Sequence, residues 1–174
     1  MLRILIAEDD PTVASTLQHL IEENPLYSVV GVAEDAQAAI ELASVAGPDI
    51  ALLDLQLAGG STGFAAAAHM RELGVMCLFV SGKAPDIAMN DLAIGCLAKP
   101  FTADDLHVAL SIAEDMLRGR PPKRSRLPAN LTLYGGSEPT DELGDSVKTE
   151  SEIRPTRPSS KTRLIYWLNA LGSD

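Results

Sequence analysis

Apolar residues fall along this chain in two rhythms, short unbroken runs and runs at helical spacing, and the two rhythms alternate. Residues 2–7 (LRILIA) form a short, branched apolar run of the kind that makes a buried strand. Over residues 12–23, Val13, Leu17, Leu20 and Ile21 recur at helical spacing, and the pattern stops before Asn24-Pro25. Residues 27–33 predict a second strand and 34–46 a second helix, packed through Ala38, Ala39, Leu42 and Ala43 and ended by Gly47-Pro48. The stretch 48–57 holds a nearly continuous apolar run, expected of a strand covered by helices on both faces. A third helix follows over 64–73 and a fourth strand over 75–80. Residues 87–93 predict a short fourth helix of weak periodicity, and 96–98 a minimal fifth strand. Thr102 is placed to cap a fifth helix, with Asp104 and Asp105 in its first turn and Leu106, Ala109, Leu110, Ala113 and Leu117 on its packing face. Five strands alternating with five helices predict an α/β domain with a parallel sheet and right-handed crossovers.

The strand ends carry the candidate chemistry. Asp54 leaves the apolar run 50–53 near the strand's C-terminal end, where ligands sit in open α/β sheets. Taken alone it fits equally well as a cap or turn former for the Gly59-Gly60 loop. The first strand ends in Glu8-Asp9-Asp10-Pro11, three mutually repelling acids that a divalent cation with oxygen ligands would reconcile. Asp10 also fits as a helix cap ahead of Pro11. The fourth strand delivers Ser81 and the fifth Lys99. Acids for a hard cation, a nucleophilic Asp54, a hydrogen-bonding Ser81 and a cationic Lys99 together suit a transferred phosphoryl group. The glycine-rich loop 58–63 is not a nucleotide phosphate loop, because GxxxxGK[ST] occurs nowhere in the chain. His19 has no ligand-type neighbour at metal-binding spacing and reads as a surface residue, and Lys83 as a solvated loop lysine.

Charge separates the chain into two parts. Residues 1–118 carry 17 acids against 5 bases, whereas 119–174 carry 7 against 9, within a total of −10. The acidic part is unsuited to nucleic acid. Cys77 and Cys96 sit in apolar surroundings, as buried reduced thiols would. No apolar run approaches 18 residues, and the N-terminus opens on a strand pattern, so a soluble cytoplasmic protein is expected, away from the membrane.

The segments Ile4-Leu5-Ile6-Ala7-Glu8-Asp9-Asp10-Pro11, Leu52-Leu53-Asp54, Phe79-Val80-Ser81-Gly82 and Leu97-Ala98-Lys99-Pro100-Phe101 resemble the receiver domain of two-component response regulators, over about residues 1–118. The resemblance implies a flavodoxin-like (βα)5 three-layer sandwich, a five-stranded parallel sheet of strand order 2-1-3-4-5. It implies that Asp54 accepts a phosphoryl group from a histidine kinase or histidine phosphotransfer protein, assisted by Ser81 and Lys99. It further implies a Mg2+ ion held by Asp9 and Asp54, by Glu8 through water, and by the backbone carbonyl of Gln56. Asp10 matches a variable position and stays outside that set. The chain departs from the pattern at Cys96, three residues before Lys99, where the family usually has Tyr or Phe. A thiol cannot make the inward swing of an aromatic ring, so rearrangement of the loop 82–86 and the weak helix after it is expected instead.

Six of the 11 prolines lie at or beyond position 121, in a stretch rich in Ser, Thr, Gly and charge. Residues 119–163 therefore read as a disordered linker. The basic cluster 118–126 reads as solvated, with no direct DNA binding expected. Residues 164–174 contain the only Trp, within Leu164-Ile165-Tyr166-Trp167-Leu168, and form a short apolar segment suited to a helix docked on the domain or on a partner. The leading functional expectation is a stand-alone phosphoacceptor that signals by onward transfer or by binding an output protein; a homodimer is compatible with it. The alternative is a phosphorylation-independent binding module on the same scaffold. An aspartate-nucleophile phosphatase is disfavoured, because Gln56 stands where that chemistry needs an acid.

Overall fold

Side-chain alternation along the strands divides the interior into two cores. In the computed structural model, which describes residues 1–83, 85, 89–121 and 127–134, β1 (Leu2–Ala7) sends Ile4 and Ile6 to one face of the sheet and Leu5 and Ala7 to the other. The first face packs on α1 (Pro11–Glu22) through Leu17 and Ile21, and on α4 (Ala103–Leu117) through Leu106 and Leu110. The second packs on α2 (Ala36–Ala46) through Ala39 and Ala43, and on α3 (Gly63–Glu72) through Ala66, Ala67 and Met70. Small alanines on α2 and α3 let those helices lie close to the sheet. The remaining strands are β2 (Tyr27–Ala33), β3 (Ile50–Leu53), β4 (Met76–Ser81), β5 (Gly95–Ala98) and β6 (Leu131–Leu133). Their order is β2-β1-β3-β4-β5-β6; the first five are parallel, in the expected 2-1-3-4-5 arrangement.

Helix ends follow the polar residues that the sequence offers. Asp10 caps α1, its carboxylate accepting from the Thr12 amide at 2.8 Å and the Val13 amide at 3.3 Å, with Pro11 in the first turn. Asp35 caps α2, which begins at Ala36 rather than at Glu34. Thr102 and Asp105 form a reciprocal capping box on α4.

Two expectations need correction. Residues 89–93 are not helical: Met89 closes a turn by accepting from the amides of Leu92 and Ala93, and 87–88 of that expected helix lie outside the described residues. Asn90 and Asp91 favour a turn and interrupt the apolar run between Met89 and Leu92, so no continuous helical stripe forms here. The stretch 119–163 is also not linker throughout, because Leu131–Leu133 add a sixth strand, antiparallel to β5. Leu131 enters the core beside Leu97, and Tyr134 is buried on the opposite face. The expectation for 164–174 lies outside the described residues.

Candidate functional site

The parallel sheet brings the predicted strand-end residues to one edge. Glu8 follows β1, Asp54 follows β3, Ser81 ends β4 and Lys99 follows β5. Backbone bonds lock these ends together: the Asp54 amide donates to Ala7 O at 2.9 Å, and the Lys99 amide donates to Ser81 O at 2.8 Å. Glu8, Asp54 and Ser81 are 5%, 9% and 4% exposed, so three polar groups stand in the nearly closed floor of this edge. Asp9, Asp10 and Gln56 are exposed at its rim.

The centre of the edge is an ion triplet. Lys99 Nζ donates to Asp54 Oδ2 at 2.6 Å and to Glu8 Oε2 at 2.6 Å. Asp54 Oδ1 also accepts from the Gln56 amide at 3.1 Å, which fixes the carboxylate's plane from the other side. Burial pushes the Glu8 carboxyl above its ordinary value, and the Lys99 contact does not fully offset it. For Lys99, burial works against the charge, but the bonds to Asp54 and then to Glu8 outweigh it and the net shift is upward. The ammonium therefore stays charged, bonded at equal distance to Asp54 and Glu8.

Glycine shapes the carboxylate's backbone. Gly63, the first residue of α3, lies so close to Asp54 that a Cβ there would overlap the Asp54 carbonyl oxygen. The last glycine of the 58–63 loop thus packs on Asp54's own backbone.

Among the described residues, no group of three or more His, Cys, Asp or Glu side chains is gathered closely enough to hold a metal ion. The donor chemistry nevertheless suits a hard divalent cation, since Glu8, Asp9, Asp54 and the Gln56 carbonyl offer only oxygen. In the arrangement seen, Lys99 supplies the positive charge between Glu8 and Asp54. His19 and Lys83 are exposed, and 84 and 86 of the expected moving loop lie outside the described residues.

Sequence reading did not foresee Asn130 and Tyr134 near this edge. The Asn130 amide nitrogen donates to the carbonyls of Ala98 and Pro100, which flank Lys99, at 3.4 and 3.2 Å. Tyr134 is buried beside Cys96. The local signal was the alternation in Asn130-Leu131-Thr132-Leu133-Tyr134, between Pro128 and Gly135.

A doubly wound sheet of order 2-1-3-4-5 with acids, a hydroxyl and a lysine at its C-terminal edge defines a flavodoxin-like domain with a site at the strand ends. The chain belongs to the response regulator receiver domain family, whose model matches residues 4–111, and is thereby a component of two-component signalling. It is 35% identical over 100 residues to protein-glutamate methylesterase/protein-glutamine glutaminase 3 of Myxococcus xanthus, covering 55% of this chain and 28% of that protein. It is 29% identical over 120 residues to the transcriptional regulatory protein PdtaR of Mycobacterium tuberculosis, covering 67% of this chain and 58% of that one. The signal receiver domain of a modulated diguanylate cyclase from Desulfovibrio desulfuricans G20 superimposes with a TM-score of 0.58 at 31% identity, covering 65% of this chain and 94% of that domain. The chain thus spans well under two thirds of the length of these two curated relatives. No described helix is long and apolar enough to cross a membrane.

Proposed function

We propose that Asp54 accepts a phosphoryl group from a phosphohistidine on a kinase or phosphotransfer protein, and that the phosphorylated chain signals by onward transfer or by binding an output protein in the cytoplasm. The observation that carries this reading is the Lys99 ammonium 2.6 Å from the buried Asp54 carboxylate, with Ser81 at the end of the neighbouring strand. An Asp54 oxygen attacks phosphorus, the new O–P bond forms, and the P–N bond of the donor breaks with its electron pair leaving on the imidazole. Lys99 moves its charge from the carboxylate to the phosphoryl oxygens, and the Ser81 hydroxyl donates to them. Asp9 and Asp54, with Glu8 and the Gln56 carbonyl, would hold Mg2+, which supplies further neutralisation of the phosphoryl charge. Gln56 has no proton to give a leaving group, so turnover beyond self-dephosphorylation is not part of the reading.

Lys99 already pairs with both Glu8 and Asp54, and this favours a second reading, a binding module that works unphosphorylated. Intact mass after incubation with acetyl phosphate and Mg2+ separates the two. One added phosphoryl group in wild type and none in Asp54→Asn is expected. No gain in either protein gives the second reading, and a gain that persists in Asp54→Asn removes Asp54 as the acceptor.

A further inference from the structure

β6 is held to β5 at both of its ends, and its start lies at the phosphoacceptor edge. At its start, the Asn130 amide nitrogen donates to Ala98 O, Pro100 O and Asp105 Oδ2, and the Asn130 carbonyl accepts from the Ala98 amide at 2.8 Å. These bonds hold the backbone on both sides of Lys99. At its end, the Tyr134 amide donates to Ile94 O at 2.8 Å, and its ring is 4% exposed beside Cys96. Cys96 pairs with Phe79 and Ala98 with Ser81, so the strand touched by Tyr134 is the one registered against the Ser81 strand. Gly95 makes the pairing possible, since a Cβ there would overlap the Thr132 carbonyl. The small Cys96 leaves room that Tyr134 fills from a different strand.

The docking is not fully satisfied. The Tyr134 hydroxyl is buried without a hydrogen-bond partner of ordinary geometry, and the polar group beside it is the Cys96 thiol, a weak acceptor. A buried donor left in this condition opposes docking, and only three residues pair with β5. β6 therefore stands closer to release than the strands of the parallel sheet.

We propose that β6 is the output element of the site: phosphorylation of Asp54 draws Lys99 and Ser81 towards the phosphoryl oxygens, pulls the backbone that Asn130 holds, and loosens β6 from β5. This rests on Asp54 being the acceptor. Because coupling is reciprocal, anything that weakens β6 docking favours the phosphorylated geometry, and anything that strengthens it opposes that geometry.

The test uses the full chain with Mg2+ and beryllofluoride, a phosphoryl mimic whose binding is read by fluorine NMR, and hydrogen exchange of peptides covering 127–134. In wild type the mimic is expected to speed exchange there at least about tenfold while β1 is unchanged; Asp54→Asn shows neither binding nor acceleration. Asn130→Ala and Gly95→Ala, which loosen the strand, are expected to bind the mimic at least about fivefold tighter. Tyr134→Phe, which removes the unsatisfied hydroxyl and keeps the ring, binds it more weakly. A merely structural strand would give no such opposed pair. Bound mimic with unchanged or slowed exchange at 127–134 overturns the coupling and leaves Asp54 as acceptor. No bound mimic in wild type overturns the reading of Asp54, and this inference with it.

Discussion

Lys99 Nζ stands 2.6 Å from Asp54 Oδ2 and, at the same distance, from Glu8 Oε2, so one cation holds carboxylates from two different strands. Lys99→Ala leaves two buried acids facing each other. Stability near pH 7 is expected to fall by about 1–3 kcal/mol, and the rate of phosphorylation by acetyl phosphate to fall at least about a hundredfold. Without the ammonium, burial and the facing Asp54 charge hold the Glu8 carboxyl pKa further above its unfolded value. The folded variant then binds more protons than the unfolded chain and loses stability as pH rises through that window. Urea denaturation at about pH 7 and pH 5 checks this; a deficit of the same size at both would contradict it.

Gly63→Ala drives a methyl group into the Asp54 carbonyl oxygen. Both α3 and the β3 end are buried, so the clash cannot be relieved by a surface side chain moving aside. A loss of about 1–3 kcal/mol is expected, with slower phosphorylation from a displaced Asp54. Thermal unfolding paired with acetyl phosphate kinetics reads both effects.

Asp10 is spent on capping α1. Asp10→Ala is expected to cost about 1 kcal/mol while the phosphorylation rate stays within about a factor of two. Asp9→Asn, by contrast, is expected to weaken the Mg2+ dependence of phosphorylation with little loss of stability, since Asp9 is exposed. A Mg2+ titration of the rate in both variants tells the two acids apart.

Tyr27 donates to Glu114 Oε2 at 3.2 Å, and burial first, then the Glu114 charge, pushes its pKa up to about 12. Between the ordinary value of 10.0 and about 12, the unfolded chain loses the phenolic proton that the folded chain keeps, so stability falls as pH rises. The raised Lys99 pKa acts in the same direction, its contribution being intact below 10.5 and lost as pH rises through the folded value. Tyr27→Phe is expected to flatten its own share of that alkaline slope and to cost about 1 kcal/mol near neutrality. The difference between the two denaturation curves across this window isolates Tyr27.

The strands and caps could be read locally because each is announced by its own residues. Asp10 before Pro11, Thr102 three residues before Asp105, and the unbroken apolar runs ending in Asp54 and Ser81 all carry their instruction within a few positions. β6 does not. Leu131-Thr132-Leu133 is too short to declare itself among prolines and charges, and becomes a strand only because the edge of β5 is open to it and Gly95 leaves the space. The placement of Lys99 between Glu8 and Asp54 was legible as a set of residue types at strand ends, but not as a single lysine shared by two acids. How the lysine and the acids hold their charges depends on burial, and burial is a property of the folded edge.

β6 also changes which strand ends the sheet. Without it, the backbone groups of Ile94 and Ala98 that now bond to Tyr134 and Asn130 would face outward from a short strand, a template on which another extended chain could build. By pairing antiparallel with β5, β6 takes up those groups with a segment that belongs to the same molecule and so is always at hand, and the edge it leaves is only three residues long.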